Sequence, residues 1–218
     1  MGLFHSPKIV TDGLSFCLDA ANIKSYPGSG STWTDVTGNN NGTIQNTSFV
    51  THTSGLSLNF NEGNTAGTGY VEMGTVLATS YTKNIWFRTN AAGTNNLMSG
   101  TTGSGTVLWA SGGEQTIFSG HNGSWSQVSW DSGSSTGLRT WHNACVTYSS
   151  TDLKLYVNGI LRSTGTSTDP TDLTLHIAAY ANQYELCGDI SQASLYNRAL
   201  TDTEVLQNFE ALRSRYGI

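Results

Sequence analysis

The sequence predicts an all-β sandwich of two antiparallel sheets with one short C-terminal α-helix, and three observations carry that expectation. Short apolar/polar alternations recur along the chain at a spacing of about 8 to 15 residues, as in sandwiches and barrels. An Asn-Gly pair at 158–159 separates two such runs, and a single helical signature occurs, after residue 200. A period of two puts successive side chains on opposite faces, so each run reads as a half-buried strand. About twelve such strands without intervening helices build a sandwich rather than a parallel α/β sheet.

The elements follow in order. Leu14, Phe16 and Leu18 alternate with Ser15, Cys17 and Asp19, and the run ends in the turn cluster 26–30. Comparable runs are Leu56–Phe60, Tyr70–Met73, Asn84–Arg88, Thr106–Trp109, Thr116–Phe118 and Trp141–Tyr148, each bounded by turn-forming residues. Leu153, Leu155 and Val157 then lead to Asn158-Gly159, with Ile160-Leu161-Arg162 returning. Asn-Gly marks a hairpin there because both central residues of a type I′ turn need positive φ. Leu173–Tyr180 and Gly188–Tyr196 supply two more strands. Leu200, Thr201, Glu204 and Val205 fill N′, N-cap, N3 and N4 of a helix, a capping box and a hydrophobic staple together. Val205, Phe209, Leu212 and Tyr216 form its apolar stripe, and Gly217 ends it.

The 218 residues suit one domain spanning 1–218 with a sizeable core. Only 11% are charged, while 26 Ser, 30 Thr, 18 Asn and 25 Gly supply turns and a polar surface. A net charge of −5, with 10 Lys plus Arg spread along the chain, leaves no footprint for a nucleic-acid backbone. No apolar run reaches membrane-span length, and the start MGLFHSPKIVTDGL does not read as a signal peptide. Cys17, Cys145 and Cys187 are odd in number and far apart, which predicts buried free thiols. The low charge also predicts a homo-oligomer, a trimer before a dimer, since little repulsion keeps copies apart.

The segments Trp141–Tyr148, Leu155-Tyr-Val-Asn-Gly159 and Gly188–Thr201 resemble the closing part of a concanavalin A-like, laminin-G-type domain. The opening Pro7–Leu14, with Leu18–Asn22 and Lys24–Gly30, is similar to the start of virion-associated versions of that domain in tailed, especially aquatic, bacteriophages. The resemblance covers the first 45 and last 80 residues, and residues 46–135 carry no motif of the family. It implies a jelly-roll topology for the sandwich. It also implies a non-catalytic, virion-associated module for host attachment that binds cell-surface glycan and is assembled in the host cytoplasm. A purely structural capsid or tail decoration protein contacting other virion proteins is the alternative. A glycoside hydrolase is the less favoured third reading.

Glucanases of this superfamily carry Glu-x-Asp-x-x-Glu on one strand, setting carboxylates about 5 Å apart on one face. Here Glu62, Glu72 and Glu114 stand singly, no nucleophile elbow occurs, and the five histidines lack zinc spacing. The sequence therefore offers no catalytic residue. Calcium takes oxygen ligands from loops, and many domains of the resembled type depend on it, which makes Asn182, Glu185 and Asp189 the candidate calcium set. Sugar binding uses flat aromatic faces flanked by amides. Trp86 and Trp141 alternate within strands and read as core. Trp125 and Trp130 fall in the loop-rich stretch 121–131, with His121, Asn122 and Asp131 beside them. Tyr180, Asn182 and Tyr184 are an equal second candidate.

Overall fold

The computed structural model describes residues 7–26, 28–52, 55–60, 69–111, 116–133, 140–181 and 183–218. Its strands, in chain order, are β1 (Leu14–Asp19), β2 (Thr32–Trp33), β3 (Gly42–Gln45), β4 (Ser48–His52), β5 (Gly55–Phe60) and β6 (Tyr70–Thr75). There follow β7 (Tyr81–Thr89), β8 (Asn95–Asn96), β9 (Met98–Ser99), β10 (Thr106–Ser111), β11 (Thr116–His121) and β12 (Val128–Asp131). The chain closes with β13 (His142–Ser149), β14 (Asp152–Val157), β15 (Ile160–Thr166), β16 (Thr174–Ile177), β17 (Gly188–Tyr196) and helix α1 (Asp202–Tyr216).

One layer of the sandwich is an eight-stranded sheet in the order β15-β14-β13-β7-β17-β5-β4, with β1 also paired to β17. The facing layer consists of a five-stranded sheet, β2-β3-β6-β16-β9, and a four-stranded sheet, β12-β11-β10-β8. These two abut where β8 and β9 follow one another, and the Leu97 and Gly100 amides donate to the Leu108 and Thr106 carbonyls across the seam. The described pairings are antiparallel. The expected jelly-roll sandwich is present, with its second layer divided in two.

Alternation decides which face each strand buries. On β7, Tyr81, Ile85 and Phe87 enter the main core between the layers, with Ala144, Val146 and Tyr148 of β13 and Leu153, Leu155 and Val157 of β14. The opposite face of the same sheet carries Trp86, Cys145, Tyr156 and Tyr196, which α1 and the N-terminal segment cover. Both faces of β7 and β17 are thus dry, and Gly188–Tyr196 is buried at every position.

Helix α1 starts as its capping box requires. The Thr201 side chain accepts from the Glu204 amide at 3.3 Å, and the Glu204 carboxylate accepts from the Thr201 amide at 2.9 Å. Gly217 closes it in the left-handed conformation at φ 73°. Phe209 and Tyr216 stack on Trp86 at 5.6 and 4.0 Å between ring centroids, Trp141 lies against Tyr216, and Leu200 and Val205 join the second cluster. Asn158 and Gly159 take φ values of 52° and 74°, the hairpin turn read from the sequence. All three cysteines are free and buried. Among the described residues, no helix is long and apolar enough to cross a membrane.

The expectations differ from the structure mainly where strands are short. β2, β3, β8, β9 and β12 are two to four residues long, too few for alternation to be visible against a Ser/Thr/Asn-rich background. As a result Trp130 and Asp131, read as loop residues, stand on β12.

Candidate functional site

The outer face of the four-stranded sheet carries an open pocket of about 270 Å³, lined by Thr94, Asn96, Val107, Trp109, Trp125, Tyr180 and Tyr184. Its floor comes from β10. There Leu108 and Ala110 point into the core, so Val107 and Trp109 point outward by the pleat. Trp109 stacks on Phe118 of the neighbouring strand at 4.2 Å with planes 16° apart, which fixes one face of its indole.

The first wall is the β11–β12 connection, which folds back over the sheet. Gly120 allows this: a Cβ there would lie 1.7 Å from the Ser124 carbonyl oxygen. The Trp109 indole N–H donates to the Trp125 carbonyl at 3.0 Å, pinning that connection to the floor. Trp125 then meets Tyr180 across the pocket, with ring centroids 5.3 Å apart and planes tilted by 60°.

The second wall is the β16–β17 connection. Ala178, Ala181 and Tyr184 adopt positive φ of 70°, 48° and 52°, a cluster of conformations that side-chain-bearing residues seldom hold and that concentrates at binding sites. Tyr180 and Gln183 exchange backbone hydrogen bonds, and the backbone N–H and side-chain amide of Asn96 both donate to the Tyr184 carbonyl, at 3.3 and 2.8 Å. The Asn96 side-chain oxygen accepts from Ser99 at 2.8 Å. Tyr184 is left 59% exposed, at the open side of the pocket.

Of the described residues read from the sequence as a glycan site, the fold brings Trp125, Tyr180 and Tyr184 together and sets His121, Asn122, Trp130 and Asp131 apart from them. His121 is a correction: it is fully buried, bonded through Nε2 to the Tyr81 hydroxyl at 2.6 Å and through Nδ1 to the Thr168 carbonyl at 2.9 Å. Burial holds its pKa down at about 4, so it is a neutral core histidine out of reach of a ligand. Asn122 turns away from the pocket and donates to Thr168 Oγ1 and the Asp169 carbonyl, both at 3.0 Å. Trp130 packs partly into the core beneath the Arg162 guanidinium, 5.1 Å from its ring centroid, and Asp131 caps its own turn by accepting from the Gly133 amide at 2.8 Å. Asn182 lies outside the described residues.

Two members of the calcium set, Asp189 and Glu185, are among the described residues. Asp189 stands on β17 with no exposure, its carboxylate accepting from Arg88 Nε at 2.6 Å and from the Asn59 amide at 2.9 Å. A guanidinium already supplies the positive charge that the carboxylate needs. Glu185 is half-buried in the connection. Among the described residues no group of three His, Cys, Asp or Glu side chains is placed to hold a metal.

Trp109, Thr94, Asn96 and Val107 were missed. Trp109 sits in a run whose alternation was legible, and that alternation already sets it opposite the core residues Leu108 and Ala110. The sequence had no means of showing that this outer face is roofed by connections 16 and more than 70 residues further on.

The chain's residues 63–206 match the Laminin_G_3 family, described as the concanavalin A-like lectin/glucanases superfamily, and the match extends through 63–135, where the sequence carries no motif of the family. A comparison with curated proteins returns no match. Among solved structures the fold is similar to Trypanosoma rangeli sialidase, with a TM-score of 0.70, 18% identity, and 95% of this chain covering 34% of that one. The chain thus spans about a third of the sialidase chains it resembles. It is also similar to domain 4 of AbnA, a GH43 extracellular arabinanase from Geobacillus stearothermophilus, in complex with arabinotriose (TM-score 0.65, 15% identity, 89% of this chain and 97% of that one). A third similar structure is the binding domain of Botulinum Neurotoxin DC in complex with SialylT (TM-score 0.64, 14% identity, 92% of this chain and 51% of that one).

Proposed function

The chain belongs to the concanavalin A-like lectin/glucanases superfamily, and from that premise we propose that it is a non-catalytic carbohydrate-recognition module whose site is the pocket on the outer face of the four-stranded sheet. One observation carries the reading: Trp109, Trp125, Tyr180 and Tyr184, drawn from three separate parts of the chain, converge on one open pocket. Aromatic faces stack on the C–H faces of sugar rings, and an apolar pocket with a few polar groups is the usual form of a small-ligand site. Two structures of the same fold are described with arabinotriose and SialylT bound, which supports a saccharide as ligand. Among the described residues no carboxylate lines the pocket, whereas retaining and inverting glycosidases both need two flanking the scissile bond. This favours binding over hydrolysis. The placement on a virion, as a host-attachment protein, rests on the opening residues 7–30.

Glycan-array screening followed by titration of the best binders tests the function. Tyr184→Ala and Trp109→Ala should each weaken binding by tenfold or more, and Trp130→Ala should leave it within twofold. A protein silent on arrays that instead binds a capsid or tail protein stoichiometrically would establish the structural alternative.

A further inference from the structure

We infer that the pocket selects a short, neutral segment of glycan, one or two sugar residues long, and discriminates against acidic sugars; this rests on the carbohydrate-recognition reading above. None of the seven lining side chains is charged. Among the described residues, the basic groups flanking these segments in the chain are committed elsewhere: Lys83 donates to the Met98 carbonyl inside the core, Arg88 holds Asp189, Arg162 covers Trp130 and Arg198 holds Glu204. A carboxylate or sulfate entering this pocket would lose water without meeting a counter-charge, and burying an unpaired charge is costly.

The hydrogen-bonding capacity left in the pocket points the same way. The Trp109 N–H is spent on the Trp125 carbonyl, and the Asn96 amide gives one N–H to the Tyr184 carbonyl while its oxygen accepts from Ser99. Among the described lining side chains, what remains is mainly hydroxyl, from Thr94, Tyr180 and Tyr184, with one Asn96 N–H. A hydroxyl both donates and accepts, which matches the hydroxyls of a neutral sugar, while a carboxylate only accepts. The walls formed by Trp125 and Tyr180 are tilted by 60°, so they offer apolar contact to two sides of one compact ring rather than a long flat platform. At about 270 Å³ the cavity also lies just below the range of about 300–1,000 Å³ typical of drug-sized ligand sites. A pocket of that size holds a short segment and leaves the rest of a chain outside.

The test is a matched-pair titration with the whole protein. Neutral oligosaccharides that score on an array are compared with counterparts differing only in a uronic acid, sialic acid or sulfate, at low and high salt. The expected result is at least tenfold preference for the neutral member, less than twofold change in affinity with salt, and loss of binding in Tyr184→Ala. Thr94→Lys should raise affinity for the acidic member severalfold and make it salt-dependent. Tighter binding of the acidic member by the wild type, lost in Tyr184→Ala, overturns this inference and leaves carbohydrate recognition standing. Silence toward both members of every pair overturns the recognition reading and the inference with it.

Discussion

Lys83 is fully buried on β7, among residues that sequence alternation assigns to the core. Its amine donates to the Met98 carbonyl at 2.7 Å and to Thr106 Oγ1, as many bonds as a neutral amine has protons, and it faces the Tyr81 ring at 5.5 Å. Desolvation pushes its pKa well below the ordinary lysine value, while the unfolded chain keeps the group protonated. At any pH between the folded and unfolded values the unfolded state binds more protons, so stability rises with pH there, by at most about 1.4 kcal/mol per unit. That rise should be visible from pH 7 to 8.5, before the buried thiols Cys17 and Cys145, raised by desolvation, reverse it. Denaturant melts of Lys83→Met should show a flat profile over the same window; an unchanged slope would reject a neutral amine. His121 acts in the same direction at lower pH, its stabilisation being lost as pH falls from about 6.5 through about 4. A second residue-scale case is Asp189. Replacing it with Asn removes the charge facing the mostly buried Arg88 and should cost about 3 kcal/mol. Because Arg88 supplies that positive charge, wild-type melting midpoints with calcium and with EDTA should coincide, and a calcium-dependent shift lost in Asp189→Asn would contradict this.

At the scale of elements, the capping box of α1 was legible and is built as read. Thr201 and Glu204 cap α1 reciprocally, and Arg198 holds the Glu204 carboxylate at 2.6 Å, keeping its pKa near 2. Thr201→Ala should lower stability by about 1 kcal/mol in a denaturant melt, with no effect on ligand binding. The β11–β12 connection gave no comparable signal. Its course depends on Gly120, where any side chain meets the Ser124 carbonyl. Gly120→Ala should lift this connection, separate Trp125 from Tyr180, and weaken glycan binding by tenfold or more while the far-ultraviolet spectrum stays that of a sandwich. Binding equal to wild type would mean that Trp125 is dispensable. The strain in the β16–β17 connection has its own test. Tyr184→Gly relieves a positive φ and should stabilise by about 0.5–1 kcal/mol, yet it removes a pocket wall.

For the whole molecule, the low charge of the chain argues for association, and a weak sugar site gains avidity when copies are linked. Light scattering should report a homo-oligomer, a trimer before a dimer; a clean 23.3 kDa monomer at high concentration would remove that expectation. The sequence by itself determined what depends on near neighbours along the chain. Strand faces follow from alternation in β1, β7, β13 and β14, the hairpin from Asn158-Gly159, and the helix ends from Thr201, Glu204 and Gly217. It also supplied three of the pocket's residues, Trp125, Tyr180 and Tyr184, because aromatic side chains flanked by amides have the chemistry of a sugar site, although Trp130, read on the same ground, packs partly into the core. Tertiary structure alone decided which aromatic groups meet, since β10 and the two connections over it are adjacent only once the sheets are stacked. It decided too that His121 and Asp189, polar in sequence, are interior groups: burial is set by what packs across a residue, and Tyr81, Thr168, Arg88 and Asn59 come from remote parts of the chain.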